Sequence, residues 1–160
     1  MTTPAARAGQ PAAPRIPGTI IALTVLLVLL TIGALQGGIA MVANPQEPLG
    51  MTVEFLEDAP VHTYFWPGMF LLGIAAASIT TVVGLLTGWR WPWAARIEVR
   101  AGHRWPWLGS LAIGGVLLAF EIAELWLVPF HPVMHPLLIA ASVALIALPC
   151  TRSARAHLRA

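Results

Sequence analysis

The sequence predicts an all-α integral membrane protein, a four-helix bundle in which the spans are antiparallel and both termini are cytoplasmic. Of its 160 residues, 58% are hydrophobic and only 10% are charged, whereas soluble domains contain roughly 45–50% apolar and about 25% charged residues. The apolar residues form runs long enough to cross a bilayer, and all nine basic residues lie outside those runs. This composition excludes a disordered chain, a disulfide scaffold and an ordinary nucleic-acid-binding domain, so nucleic acid is not expected among the partners.

The first span is predicted over residues 19–43. The preceding segment, residues 1–18, contains four prolines among Ala, Gly and Thr, and such a composition cannot bury an apolar face. It is therefore predicted to be a flexible cytoplasmic tail. A signal peptide is the alternative interpretation of the apolar run. The hydrophobic region of a signal peptide is only about 7–15 residues long, so the longer run here favours a membrane anchor.

Three further spans are predicted over residues 67–89, 107–128 and 131–150. The fourth is the least regular, because Pro132 and neighbouring prolines interrupt its beginning. Irregular backbone at membrane depth is tolerated only where protein or trapped water satisfies its polar groups. Residues 151–160 then form a short basic tail on the cytoplasmic side.

The orientation of the bundle follows from its basic residues, which are all arginines. They precede span one, lie between spans two and three, or follow span four. The two connections on the other side, residues 44–66 and 129–136, contain no arginine. Positive residues are retained on the cytoplasmic side of a membrane, so both termini are predicted to be cytoplasmic. The absence of lysine, together with much Ala, Gly and Pro, is typical of a GC-rich bacterial genome and predicts a multi-pass protein of a bacterial plasma membrane.

An internal repeat lies in the connection between spans two and three. The segment Arg90-Trp91-Pro92-Trp93 is echoed by Arg104-Trp105-Pro106-Trp107. Tryptophan favours the headgroup region of a bilayer, and arginine meets lipid phosphate there. The predicted lipid-interface anchors are Arg90, Trp91, Trp93, Arg104, Trp105 and Trp107. A specific site for an anionic lipid or a partner is the alternative interpretation.

Small residues recur on one face of each predicted span. They let transmembrane helices approach closely where no hydrophobic force draws them together. These faces fit a compact bundle, and they equally fit the contact of a homo-oligomer or of a larger membrane complex. The lipid bilayer is the partner that the sequence itself implies.

Two acidic residues inside the third span give the strongest functional signal. Glu121 and Glu124 are three residues apart and share a helix face, and acidic groups within a membrane rarely face lipid. Gln36 is expected at the same depth in span one, and His131 and His135 follow on the outer side. These five residues are predicted to form an outer cavity that binds a proton or a ligand. The two glutamates and two histidines of this set are also candidate ligands for a divalent metal ion. The structural alternative is that the carboxyl groups are buried and hydrogen-bonded, and fix the helix register or the position of a partner subunit.

The first outer connection is too apolar for a free loop, and it is expected to fold back on the membrane surface or cap the bundle. Its sequence, with the flanking ends of both spans, resembles a pattern found in small four-helix integral membrane proteins of bacteria, of actinobacterial type. The residues that carry this resemblance are Gly37, Gly38, Asn44, Pro45, Leu49, Gly50, Met51, Leu56, Pro60, Phe65, Pro67 and Gly68. Glu47-Pro48 stands where such proteins often have a glycine turn. The resemblance implies the four-span topology and a bacterial plasma membrane, and it implies no catalytic residues.

No phosphate-binding loop, nucleophile elbow, zinc-protease, haem-attachment or dinucleotide motif is found. With a single cysteine, Cys150, there is also no redox pair. The sequence therefore predicts neither an enzyme nor a cofactor. The first hypothesis is a non-enzymatic accessory or interaction subunit. The alternative is a small transport protein, or a ligand- or cation-binding protein that uses the outer-leaflet Glu/His cavity.

Overall fold

A computed structural model describes residues 16–57, 59–127 and 132–159, and within these ranges the chain is helical, without strands. The predicted tail lies largely outside the described residues. The helices are α1 (Gly18–Ala43), α2 (Phe65–Thr87), α3 (Ala95–Ala101), α4 (Trp105–Leu127), α5 (Met134–Cys150) and α6 (Arg152–His157), with short 3-10 turns at Pro48–Gly50, Val53–Leu56 and Pro92–Ala94.

Three of these helices, α1, α2 and α4, are long and apolar enough to cross a membrane. They correspond to the first three predicted spans. Helix α5 is also apolar but has 17 residues, a length of about 25 Å, and it begins three residues later than the predicted fourth span. The all-helical, membrane-compatible architecture is thus confirmed, and α5 is shorter than the predicted fourth span.

The ends of the helices follow from local sequence. Helix α2 starts two residues before Pro67, so that this proline falls in the first turn, where its missing N–H breaks no helical hydrogen bond. The helix ends at Thr87 and is capped by Gly88, whose φ of 68° is left-handed and is readily adopted by glycine. Helix α3 ends in the same way at Gly102, with a φ of 64°.

Helices α1 and α2 form the most extensive contact of the fold. Gly38 of α1 and Gly68 of α2 meet at a close approach of the two helices: a Cβ atom on Gly68 would lie 2.7 Å from Cβ of Met41 and 3.1 Å from the carbonyl oxygen of Gly38. No larger residue fits there without displacing backbone, which is how small residues act between membrane helices. The buried core contains leucines, an alanine and serines: Leu23, Leu27, Ala75, Ser78, Ser110, Leu117, Ser142 and Leu145.

Candidate functional site

A buried carboxyl–imidazole pair joins α4 to α5. Glu121 is 1% exposed and His135 is 6% exposed, and the distance from Oε2 of Glu121 to Nδ1 of His135 is 3.3 Å. Glu124 lies one helical turn beyond Glu121 and is half-buried. One ligand atom from each of the three residues lies within 4.8 Å of the others. The three side chains therefore form a single polar cluster, called here the Glu/His cluster.

Local sequence explains why these side chains meet. The spacing of three places Glu121 and Glu124 on one face of α4. His135 is the second residue of α5, and side chains in a helix tilt toward its N-terminus, which directs the imidazole to the end of the helix where α4 finishes. Further along the same contact, a Cβ on Gly114 would lie 3.0 Å from Cβ of Leu145. This close approach fixes the two helices side by side.

The donor set and its spacing suit a divalent cation. Zinc binds histidine nitrogen at about 2.0–2.1 Å and carboxylate oxygen at about 2.0–2.2 Å, so neighbouring ligand atoms of a tetrahedral site lie roughly 3.3 Å apart. The distance between Oε2 of Glu121 and Nδ1 of His135 already has this value, and a carboxylate oxygen of Glu124 lies within 4.8 Å of a ligand atom of each residue. Three protein ligands leave a fourth position open, an arrangement of zinc sites that exchange a ligand.

Of the five residues predicted to form the cavity, three come together. His131 lies outside the described residues. Gln36 is exposed on α1 and does not belong to the Glu/His cluster. The buried positions of that part of α1 include Ala34 and Gly38, and Gln36 is two residues from each, about 200° around the helix. Its side chain therefore faces away from the bundle.

A cavity adjoins the cluster, and Glu124 is the one residue of its lining that belongs to the predicted outer cavity. Its volume is about 280 Å³, and Glu124 is the one charged residue among those that line it within the described ranges. The lining residues are Leu56, Ala59, Pro60, Val61, Trp66, Pro67, Phe70, Phe120, Ala123, Glu124 and Leu127. Phe70 and Phe120 stack with their ring centroids 4.5 Å apart. The signal that pointed toward this cavity was the apolar composition of the first outer connection.

That connection folds onto the helix ends, as its apolar composition predicts. Leu56, Ala59 and Tyr64 are buried and pack with partly buried residues that include Met41 and Leu127. The hydroxyl of Tyr64 donates a hydrogen bond to the carbonyl oxygen of Thr52 at 3.0 Å, and its backbone N–H donates to Pro45. The described acids of the connection, Glu47, Glu54 and Glu57, are exposed.

The Glu/His cluster affects the pKa of Tyr64. Burial raises the pKa of its phenol above 10.0, and the negative charge of Glu124 raises this pKa further. The phenol, the cavity and the Glu/His cluster thus lie at one end of the molecule.

The predicted lipid-interface anchors lie at the opposite end, and most of them make contacts within the protein. Trp105 and Trp107 are half-buried. Their indole N–H groups donate to the carbonyl oxygens of Trp89, at 2.8 Å, and Pro149, at 3.0 Å. They thereby tie the start of α4 to the ends of α2 and α5.

The other residues of the Arg-Trp repeat differ in their exposure. Trp91 is half-buried and lies against Trp105, with ring centroids 5.8 Å apart. Arg104 is half-buried and Arg90 is exposed. The side chain of Trp93 lies outside the described part of the chain. Arg90 is thus the repeat member most available to lipid phosphate among those described.

One residue at this end has a structural role that the sequence did not predict. Glu98 of α3 is 7% exposed and accepts a hydrogen bond at 2.8 Å from the backbone N–H of Trp105, the first residue of α4. An acid at this point satisfies an unpaired N–H and faces the positive end of the helix dipole. The only acidic residue among the arginines of this segment is therefore explained as a cap for α4.

The described residues form an all-helical fold with three helices long and apolar enough to cross a membrane, and this fold is compatible with a helical membrane protein. Comparison with protein-family models, with curated proteins and with solved structures gave no match.

Proposed function

We propose that the protein crosses a bacterial plasma membrane four times as an antiparallel bundle with both termini in the cytoplasm. The contacts support this arrangement: Ile20 near the start of α1 and Leu85 near the end of α2 line one cavity, while Gly38 meets Gly68 at the other ends of these helices. The placement of the arginines supports the orientation. The resemblance to small four-helix proteins of actinobacterial type supports the same topology.

Within this topology, we propose that the protein binds a divalent cation such as Zn²⁺ at its outer end, through Glu121, Glu124 and His135. The observation that carries this function is the convergence of their ligand atoms within 4.8 Å of one another. Two carboxylates also supply the negative charge that a buried dication needs. A cation held within a membrane protein with an open coordination position is available for uptake, sensing or transfer.

Cobalt(II) is a suitable probe because its visible spectrum reports both binding and tetrahedral geometry. We expect the purified protein in lipid nanodiscs to bind Co²⁺ with the intense visible bands of a tetrahedral site. The conservative variants Glu121→Gln and His135→Gln should each weaken this binding at least about tenfold, since each removes one of three ligands.

The matched control is His157→Gln, because His157 is exposed on α6, far along the sequence from the cluster. It should leave the Co²⁺ spectrum and affinity unchanged. Binding that survives in both cluster variants, or that is lost equally in the control, would contradict the proposed site.

A second function, that of an accessory or interaction subunit, is favoured by the position of Gln36. This amide is exposed about 27 Å along α1, and Gly33 one turn earlier has open space around the position of a Cβ. A polar amide facing lipid is costly, and amides of this kind hydrogen-bond across transmembrane helices.

If Gln36 forms such a contact between copies of the chain, Gln36→Leu should lower the dimer fraction measured by energy transfer between labelled proteins in liposomes. Ile39→Leu, at another exposed position of α1, is the matched control. An unchanged dimer fraction in Gln36→Leu would exclude this contact between copies.

A further inference from the structure

The cavity beside the Glu/His cluster has the form of a site for an organic molecule rather than for a bare ion. An apolar cavity of about 150 Å³ holds a benzene molecule. At about 280 Å³, this cavity therefore accommodates a compact molecule of about ten to twelve non-hydrogen atoms. Pockets for small molecules combine such apolar walls with a few placed polar groups.

The ionisable group that lines the cavity is acidic. Glu124 is the single charged residue among the described lining residues. Glu121 and His135, the rest of the cluster, are not among the lining residues, so of the described acids only Glu124 presents a carboxyl group to a molecule in the cavity. A cationic group is the complement of that carboxylate.

The remaining walls favour an ammonium group over a metal ion. Trp66, Phe70 and Phe120 line the cavity, and aromatic faces attract organic cations through their quadrupoles while offering no ligand atom to a metal. The other walls are aliphatic. A hydrophobic body attached to the cation therefore finds apolar contacts throughout the cavity.

We propose that this cavity binds a small lipophilic ammonium ion, with the cationic group at Glu124 and the apolar body among the aromatic rings. The inference goes beyond metal binding and does not depend on it, since the two sites share only Glu124. Such molecules partition into membranes, and the cavity lies between the outer connection and the ends of α2 and α4.

The probe for this site is benzyltrimethylammonium, which combines a phenyl ring with a permanent positive charge. Its uncharged carbon isostere, neopentylbenzene, has nearly the same shape. Equilibrium dialysis of the radiolabelled cation against protein in phosphatidylcholine nanodiscs, with empty nanodiscs as the blank, measures saturable binding above lipid partitioning. We expect unlabelled cation to displace the label and neopentylbenzene to be at least about tenfold weaker as a competitor.

Two variants locate the site. Glu124→Gln keeps the shape and removes the charge, so it should weaken cation binding at least about tenfold. Ala123→Leu inserts a side chain into the cavity from an exposed position of α4, and it should abolish binding. Ala119→Leu, also exposed on α4 but outside the lining, is the matched control and should bind normally.

The outcomes separate this proposal from metal binding. Ala123→Leu should lose the organic cation and keep Co²⁺, while His135→Gln should lose Co²⁺ and keep the organic cation. The proposal is overturned if no saturable binding exceeds the empty-nanodisc blank. It is equally overturned if neopentylbenzene competes as well as the cation, or if Ala123→Leu binds normally.

Discussion

At the scale of single residues, the main feature is a buried pair that consists of an acidic and a basic side chain. Glu121 and His135 are both nearly inaccessible and lie 3.3 Å apart. Breaking such a pair leaves an uncompensated polar group in a low-dielectric surrounding, whereas replacing both partners by apolar groups is often tolerated. The pair therefore contributes to structure whether or not a cation is bound.

This asymmetry gives a double-mutant prediction. Glu121→Leu and His135→Leu should each destabilise the fold by about 3 kcal/mol, because each removes one member of a buried polar pair, and the double variant should be more stable than either single variant. Thermal unfolding in detergent without added metal measures all four proteins. Strictly additive losses in the double variant would show that the two side chains do not form an energetic pair.

The ionisation of Tyr64 can be measured directly in this protein. It is the only tyrosine in the chain, so the absorbance change of phenol ionisation reports this residue alone. Burial and the charge of Glu124 raise its pKa above 10.0, and we expect a titration midpoint above this value. Glu124→Gln should lower the midpoint by removing the nearby charge, whereas Glu47→Gln, at an exposed position, should leave it unchanged.

The same pKa shift makes stability depend on pH in a defined direction. Because the folded protein holds the phenol proton more tightly than the unfolded chain, the stabilising contribution is complete below about pH 10 and is lost as the pH rises through the folded-state value. Tyr64→Phe removes the titrating group. Its thermal unfolding temperature should therefore fall less steeply in this alkaline range than that of the wild-type protein.

At the scale of secondary-structure elements, the contact between α1 and α2 depends on the absence of side chains at one crossing. A methyl group on Gly68 would overlap Met41, whereas a methyl group on Gly33 would meet nothing within 4 Å. Gly68 and Gly33 therefore differ in whether a larger side chain can replace them.

Gly68→Ala should destabilise the protein by about 1–3 kcal/mol, which is the usual cost of overpacking. Gly33→Ala, its matched control, should be neutral or stabilising by up to about 1 kcal/mol, because alanine favours the helix. Unfolding in mixed micelles measures both. Equal stability of the two variants would contradict the close packing of α1 on α2.

The four long apolar helices α1, α2, α4 and α5 could be predicted from the sequence to within about three residues, because a run of apolar residues is a direct consequence of the bilayer as solvent. The short helices α3 and α6 lack such a run and were not predicted. The convergence of Glu121 and Glu124 with His135 was predictable for a related reason. The two acids share one turn of one helix, and the histidine follows after a short connection, so few arrangements separate them.

Other parts of the site could not be predicted, since they depend on rotation and on loop conformation. Counting residues gives the depth of Gln36 along α1 but not the direction in which it points, which is set by the packing of Ala34 and Gly38 on the other side of the helix. The cavity depends on how the first outer connection folds. Its turn includes Leu49, with a left-handed φ of 53°, a conformation that no simple pattern in the sequence signals.

At the scale of the whole molecule, charge is distributed unevenly between the two ends. The described arginines lie at the end formed by α3, α6 and the start of α4, and the exposed acids Glu47, Glu54 and Glu57 lie at the other end. The net charge is only +2, but the positive and negative residues are largely separated between the two ends of the molecule. Such polarity is what orients a helical membrane protein during insertion.

The proposed orientation is testable by labelling single cysteines in a Cys150→Ser background. Glu57→Cys should react with a membrane-impermeant maleimide in intact spheroplasts, because its connection is placed outside. Ala156→Cys in α6 should react only after permeabilisation, because the C-terminus is placed in the cytoplasm. The reverse labelling pattern, or labelling of both from outside, would overturn the orientation.

The short length of α5 has a further consequence for the surrounding lipid. Helix α1 is about 39 Å long and α5 about 25 Å, against a hydrocarbon thickness of about 30 Å. In the proposed four-span topology, α1 is longer than this thickness and α5 is shorter, so the two helices are mismatched in opposite senses and we expect the lipid to thin beside α5. In the proposed orientation His135 lies at the outer end of α5, so such thinning would bring headgroups and their hydration water close to the Glu/His cluster. The membrane itself would then help to supply a route by which ions reach the cluster.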